Sequence, residues 1–253
     1  MSVSLTSLVN YCEELLNVKE FKDYSPNGLQ VQGKETVQRI VTGVTASQAL
    51  LDAAVQYSAD LVLVHHGYFW RGESECITGM KKRRLATLLG NDISLLGFHL
   101  PLDAHPEFGN NAMLAKKMGW QITRGLDAPL GRAIGMVGEL PEPISGGRLA
   151  EQLAAVLERT PLHIQGIGHP IKKIAWCTGG AQGYIDKALA AGVDAYISGE
   201  VSEPTYHFAK EMGIDYFAAG HHATERYGVQ ALGEHLASKF GIEHRYIEIP
   251  NPV

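Results

Sequence analysis

The chain has 253 residues, 45% hydrophobic and 19% charged, which excludes a disordered polymer and leaves room for one large core or two smaller ones. Its formal charge of -5, from 27 acidic and 22 basic residues, excludes the broad positive field that holds nucleic acid phosphates, so nucleic acid is not an expected partner. Cys12, Cys76 and Cys177 fall in no paired spacing, which excludes a disulfide framework or thiolate zinc site and fits a reducing compartment.

Residues 1–7 lack the basic-then-apolar pattern of a secretory leader. No stretch reaches the about 18 apolar residues of a membrane span. The expected location is the cytoplasm, with no membrane partner. The one dense basic run, at 81–84, reads as the solvated face of a helix. Eleven histidines are the compositional excess, and their positions carry the functional reading.

In chain order, Thr6 or Ser7 caps a first helix whose apolar stripe is Leu8, Val9, Tyr11, Cys12, Leu15 and Leu16. Turn chemistry follows at Ser25, Pro26, Asn27 and Gly28. From residue 40 the chain reads strand (40–44), helix (46–57), strand (61–64), the grammar of a parallel sheet. A helix at 81–89, a strand at 94–100 and a helix from Asn110 or Asn111 to Gly119 continue the series.

The second half repeats this order: strand 174–177, helix 184–191, strand 195–198. An ungapped offset of 134 lays Ile174 on Ile40, Gln182 on Gln48, Asp186 on Asp52 and Asp194 on Asp60. A second offset, 122, lays His221 and Glu225 on His99 and Asp103. The expected fold class is therefore α/β, with two similar open-sheet domains related by duplication and a metal site between them. The boundary is expected at 126–132, a Pro- and Gly-containing linker, giving domains 1–126 and 127–253.

Three constellations stand at carboxyl ends of expected strands, where open α/β sheets bind ligands. His65 and His66 close an apolar strand; side chains alternate along a strand, so adjacent histidines suit two ions better than one. His99 and Asp103 follow the next strand. Pro101 disfavours helix at Leu100, so this pair is expected to converge through a turn, with His99 either a ligand or a hydrogen-bond support behind one. His221 and Glu225 stand one helical turn apart before the apolar stripe Val229, Leu232, Leu236 and Phe240.

Two histidines with Asp103, His221 and Glu225 make five ligands, enough for two divalent ions sharing one carboxylate. Imidazole and carboxylate without thiolate suit Zn, Mn, Fe, Co or Ni. Such a pair of ions activates water, and hydrolysis is the natural use. The Gly-rich run 178–183 reads as a tight strand-to-helix turn or a weak anion cradle. Glu200 and His207 are candidate proton-transfer groups, with ordinary surface roles as the alternative. His105, His163, His169, His235 and His244 read as exposed or structural.

These segments resemble the NIF-three-like family, whose members carry the label GTP cyclohydrolase I type 2 homolog. The resemblance rests on HHGYFWRGE from His65, HLPLDAHPEFGNN from His99 and AAGHHATERYG from Ala218. Gly67 stands where many members have proline, and Leu102 where many have asparagine, as in a bacterial subgroup. The resemblance implies a ring-shaped homohexamer (a toroid) of two-domain subunits with interior dinuclear metal centres. It implies that His66 and Asp103 hold one ion and His65 and His221 the other, with Glu225 bridging.

The expected function is a dinuclear metal-dependent hydrolase acting on a small molecule, a nucleotide or related heterocycle, with His99 or Glu200 handling a proton and Glu225 at the reacting centre. The alternative is a non-catalytic metal-binding scaffold or regulator linked to the DNA damage response. A DNA-binding ring is disfavoured by the acidic balance.

Overall fold

A computed structural model describes residues 1–253. The chain runs β1 (Val3–Ser4), α1 (Leu5–Leu15), β2 (Gly28–Val31), β3 (Thr36–Val37), β4 (Arg39–Thr45), α2 (Gln48–Gln56), β5 (Leu61–His66), α3 (Gly79–Gly90) and β6 (Ser94–Gly97). Next come α4 (Leu100–Ala104), α5 (Asn110–Met118), β7 (Gln121–Gly125), β8 (Met136–Ile144), α6 (Gly146–Leu157), β9 (Leu162–Ile164) and β10 (Ile171–Cys177). The chain ends with α7 (Ile185–Ala190), β11 (Ala195–Ser198), α8 (Glu203–Met212), β12 (Asp215–Ala218), α9 (His221–Thr224), α10 (Arg226–Phe240) and β13 (Glu243–Tyr246). No helix is long and apolar enough to cross a membrane.

The chain forms two compact α/β units, residues 1–102 with 228–250, and residues 103–227 with 251–253. The division expected near 126 is not where the units part. Strand β7 pairs antiparallel with β8, and Leu114 and Trp120 enter the same core as Trp176, so residues 110–125 belong with the second sheet. Sequence periodicity identifies such elements but does not say which sheet recruits them.

The first unit holds a five-stranded sheet in the order β13-β4-β5-β6-β2, with β13, β4, β5 and β6 mutually parallel and β2 antiparallel at the edge. Leu61 and Leu63 face a core shared with α1 and α10, while Val62 and Val64 face the opposite core beneath α2 and α3. Burial on both faces is why β5 reads as an unbroken apolar run.

The second unit holds six strands in the order β7-β8-β10-β11-β12-β9, parallel only across β10, β11 and β12. The offset of 134 is carried by its pairing: Ile40 faces Leu61 in one sheet and Ile174 faces Ala195 in the other. Asp60 accepts the backbone N–H groups of Gln38 and Arg39, and Asp194 those of Lys172 and Lys173, at the same offset.

Candidate metal centre

In the first unit, β5 delivers His65 and His66 to its carboxyl end. His65 is fully buried, and its Nδ1 lies 2.9 Å from the carbonyl oxygen of Phe98. A carbonyl only accepts, so Nδ1 carries the proton and Nε2 is left with the lone pair that a cation needs. Alternation along the strand predicts that His65 and His66 diverge, yet their ring centroids are 4.6 Å apart. Both are the last residues of the strand, and His66 still pairs with Thr45 of β4.

His99 joins them from the segment after β6, and one donor nitrogen from each of His65, His66 and His99 lies within 4.8 Å of the others. Its Nδ1 is 2.7 Å from Asp23 Oδ1, and a carboxylate acceptor again leaves Nε2 as the lone-pair nitrogen. Burial opposes the charge on Asp23, but hydrogen bonds from His99 and Asn27 outweigh it and hold the carboxyl down at about 2. Sequence reasoning missed Asp23, which lies between α1 and β2 just before the turn residues and 76 positions from His99.

The segment after His99 corrects an expectation. Residues Leu100–Ala104 are helical. Asp23 Oδ2 accepts Leu100 N–H at 2.9 Å and Asn27 Oδ1 accepts His99 N–H at 2.7 Å, so distant side chains cap the helix. Proline is tolerated in a first helical turn because its missing N–H would have had no intrahelical partner. The bias that Pro101 places on Leu100 is overridden by these caps.

In the second unit, Asp103 is buried and accepts hydrogen bonds from Asn110 Nδ2 at 2.9 Å and Thr178 Oγ1 at 3.3 Å. A carboxylate oxygen of Asp103 and one of Glu225 lie within 4.8 Å of each other, and both residues are almost fully buried, 6% and 2% exposed. Two carboxylates so placed repel strongly unless a cation stands with them.

His221 Nε2 is 3.1 Å from Glu225 Oε2, and His221 Nδ1 is 2.7 Å from Glu200 Oε1. Burial lowers the pKa of this imidazole, but the two carboxylates outweigh it and lift it to about 9. Residues His221–Thr224 form only one turn, and α10 begins at Arg226, so Glu225 lies at the junction between the two helices. Glu200, expected as a proton-transfer group, stands behind His221 and orients its ring. His207 lies on the exposed side of α8 with its ring against Tyr206.

The Gly-rich turn after β10 makes room for this centre. Gly179 has φ +71°, and a Cβ there would come within 2.0 Å of Glu225 Oε1 and 3.1 Å of His221 Nε2. Only glycine allows that approach and that backbone conformation. The weaker anion-cradle reading is not needed to explain the residue.

The donor set fits divalent metal: imidazole nitrogens with Nδ1 tied back, and buried carboxylates crowded together. Four other histidines have structural partners, and His169 is exposed. His163 pairs with Asp215, His235 with Tyr11 and His244 with Thr42, while His105 Nδ1 accepts the N–H groups of Glu107 and Phe108.

The sequence profile of Duf34/NIF3 (NGG1p interacting factor 3) matches residues 3–252. A Pseudomonas aeruginosa protein named GTP cyclohydrolase 1 type 2 homolog is 58% identical over the whole of both chains. An Escherichia coli K12 protein of the same name is 54% identical over 98% of each. Among solved structures, protein ybgI, described as of unknown function, superposes with a TM-score of 0.95 at 54% identity, covering 99% of this chain and all of that one. A Thermus thermophilus protein superposes at 0.88 with 33% identity, over 99% of this chain and all of its own. With the profile spanning nearly every residue and relatives sharing more than half of theirs, this chain belongs to the Duf34/NIF3 family.

Proposed function

We propose that this protein holds two divalent metal ions through His65, His66, Asp103, His221 and Glu225 and is a metal-dependent hydrolase of a nucleotide or related heterocycle. The observation that carries the reading is the burial of Asp103 and Glu225 within 4.8 Å of each other, with His221 beside Glu225. Following the family resemblance, His66 and Asp103 are assigned to one ion, His65 and His221 to the other, and Glu225 to both.

Divalent ions held there would supply Lewis acidity and would lower the pKa of a water bound to them. The chain's own residues orient and move protons. His99, fixed through Nδ1 by Asp23, presents Nε2 as a proton acceptor, and Glu200 keeps His221 Nε2 directed at Glu225. The substrate class follows from the relatives' name and is proposed for this chain on that likeness.

Elemental analysis of the purified chain should return about two ions, and Glu225→Ala should lose both. A protein that remains metal-free at saturating Zn²⁺ or Mn²⁺ overturns the centre. A panel of nucleotides and phosphoesters, offered to metal-loaded protein with Glu225→Ala as control, tests turnover. Consumption of none of them would favour a non-catalytic metal-binding scaffold. On the same resemblance we propose a cytoplasmic, ring-shaped homohexamer; sedimentation at six times the 27.5 kDa chain mass is expected, and a monomeric mass overturns it.

A further inference from the structure

The segment after His66 is built in a way that core packing does not explain. Tyr68 anchors it, buried, with its hydroxyl donating to Ala46 O at 2.8 Å and its N–H to Gln30 Oε1 at 2.7 Å. The next residue, Phe69, has φ +65°, a left-handed conformation that bulky side chains rarely adopt. That strain is not compensated by burial, because Phe69 remains 37% exposed. Strain at an exposed aromatic points to function.

The strained residue turns the chain so that Trp70 is presented beside the histidines. Its Nε1–H donates to Gly67 O at 3.1 Å and its backbone N–H to Glu73 Oε2 at 3.1 Å, which pins the indole. The half-buried ring stands edge-on to His99, with centroids 5.0 Å apart, and 6.0 Å from His66. Exposed Tyr24 lies beside it in the chain path, since Arg71 N–H donates to Tyr24 O at 2.7 Å and the Arg71 guanidinium covers the Tyr24 ring at 5.8 Å. Lys81 stands 5.1 Å from the Phe69 centroid, where its ammonium pairs with Glu73 at 3.4 Å and donates to Ser74 O at 2.8 Å, so it holds the segment together.

We propose that Trp70 forms a stacking wall for the planar ring of an anionic heteroaromatic ligand beside the His65, His66 and His99 cluster. The indole face suits a flat ring whatever its substituents, and the exposed cation of Arg71 suits the negative charge it carries. The inference rests on the metal-hydrolase reading for its location and adds the residue that selects the ring.

Guanosine 5'-monophosphate is the probe and ribose 5-phosphate its ringless control, titrated calorimetrically into the full metal-loaded chain. Trp70→Ala should weaken the nucleotide by about tenfold or more. Trp70→Phe should stay near wild type, and ribose 5-phosphate should be indifferent to both substitutions. Trp120 and Trp176 are buried, so quenching of tryptophan fluorescence by the nucleotide should come from Trp70 and vanish in Trp70→Phe.

Nucleotide binding that is absent in wild type, or equal in Trp70→Ala, overturns the wall. So does a change in particle mass in Trp70→Ala as the sole effect, which would make this surface an interface between copies. Metal content measured on every variant separates the two failures: loss of the wall leaves two ions bound, whereas failure of the metal reading shows as a chain without ions.

Discussion

His99 Nδ1 lies 2.7 Å from Asp23 Oδ1, across 76 positions of sequence, and His221 Nδ1 lies 2.7 Å from Glu200 Oε1. Each half of the chain thus contributes a histidine whose ring is held by a carboxylate at Nδ1. Such partners sharpen ligand basicity and orientation. Asp23→Asn should lower the affinity of the histidine cluster for divalent metal by about 10- to 100-fold. Titration with Zn²⁺ alongside far-UV circular dichroism checks this; unchanged affinity in a folded variant would mean that His99 needs no such support.

Gly179→Ala should be more damaging than its size suggests. The new methyl group would sit 2.0 Å from Glu225 Oε1 on a backbone at φ +71°, so either the carboxylate or the turn must move. A loss of about 1–3 kcal/mol in stability is expected, together with loss of bound metal. Urea unfolding and elemental analysis measure the two, and a variant with full metal content would show that Glu225 relocates without consequence.

Acid should destabilise the fold in two windows. Burial pushes the His244 imidazole down, against the opposing pull of Glu234. A native value below the unfolded value of about 6.5 gives stability that is present above that pH and lost as pH falls through the native value. Burial alone would raise Asp60, but Lys34 and the backbone N–H groups of Gln38 and Arg39 outweigh it and hold the carboxyl below its usual range. Its contribution is present above about pH 4 and lost as pH falls further.

Unfolding in urea from pH 8 to pH 3 should therefore show an upper step removed by His244→Gln and a lower step removed by Asp60→Asn. The Asp60 variant should also lose about 1–3 kcal/mol at pH 7, from hydrogen bonds to a charged acceptor. Identical pH profiles for wild type and both variants would reject the assignment.

The three thiols should differ sharply in reactivity. Burial pushes Cys12 up to about 12 and Cys177 well above the ordinary thiol value, whereas Cys76 is exposed. The thiolate is the nucleophile, so iodoacetamide at pH 8 should add one label to the native chain, at Cys76. Peptide mass mapping that finds Cys177 labelled at a comparable rate would show that the second unit's core opens readily.

Much of the architecture was written locally. The runs at 40–44, 61–64 and 195–198 are strands buried on both faces, and the stripe Val229, Leu232 and Leu236 lines one helix, because burial periodicity is a property of neighbouring residues. The same local reading put His65 and His66 at a strand end and found the offset of 134 that recurs in the pairing of the two sheets.

What only the tertiary structure decided lies in contacts between residues far apart in the chain. Asp23 and Asn27 cap a helix that begins at Leu100, overriding the local bias of Pro101. Gly179 yields space to Glu225, and residues 110–125 pack with the second sheet although the linker signal comes later. Sequence spacing constrains side chains within a few turns of each other. Which carboxylate meets which imidazole is fixed by packing that closes loops of dozens of residues, and no local pattern records that choice.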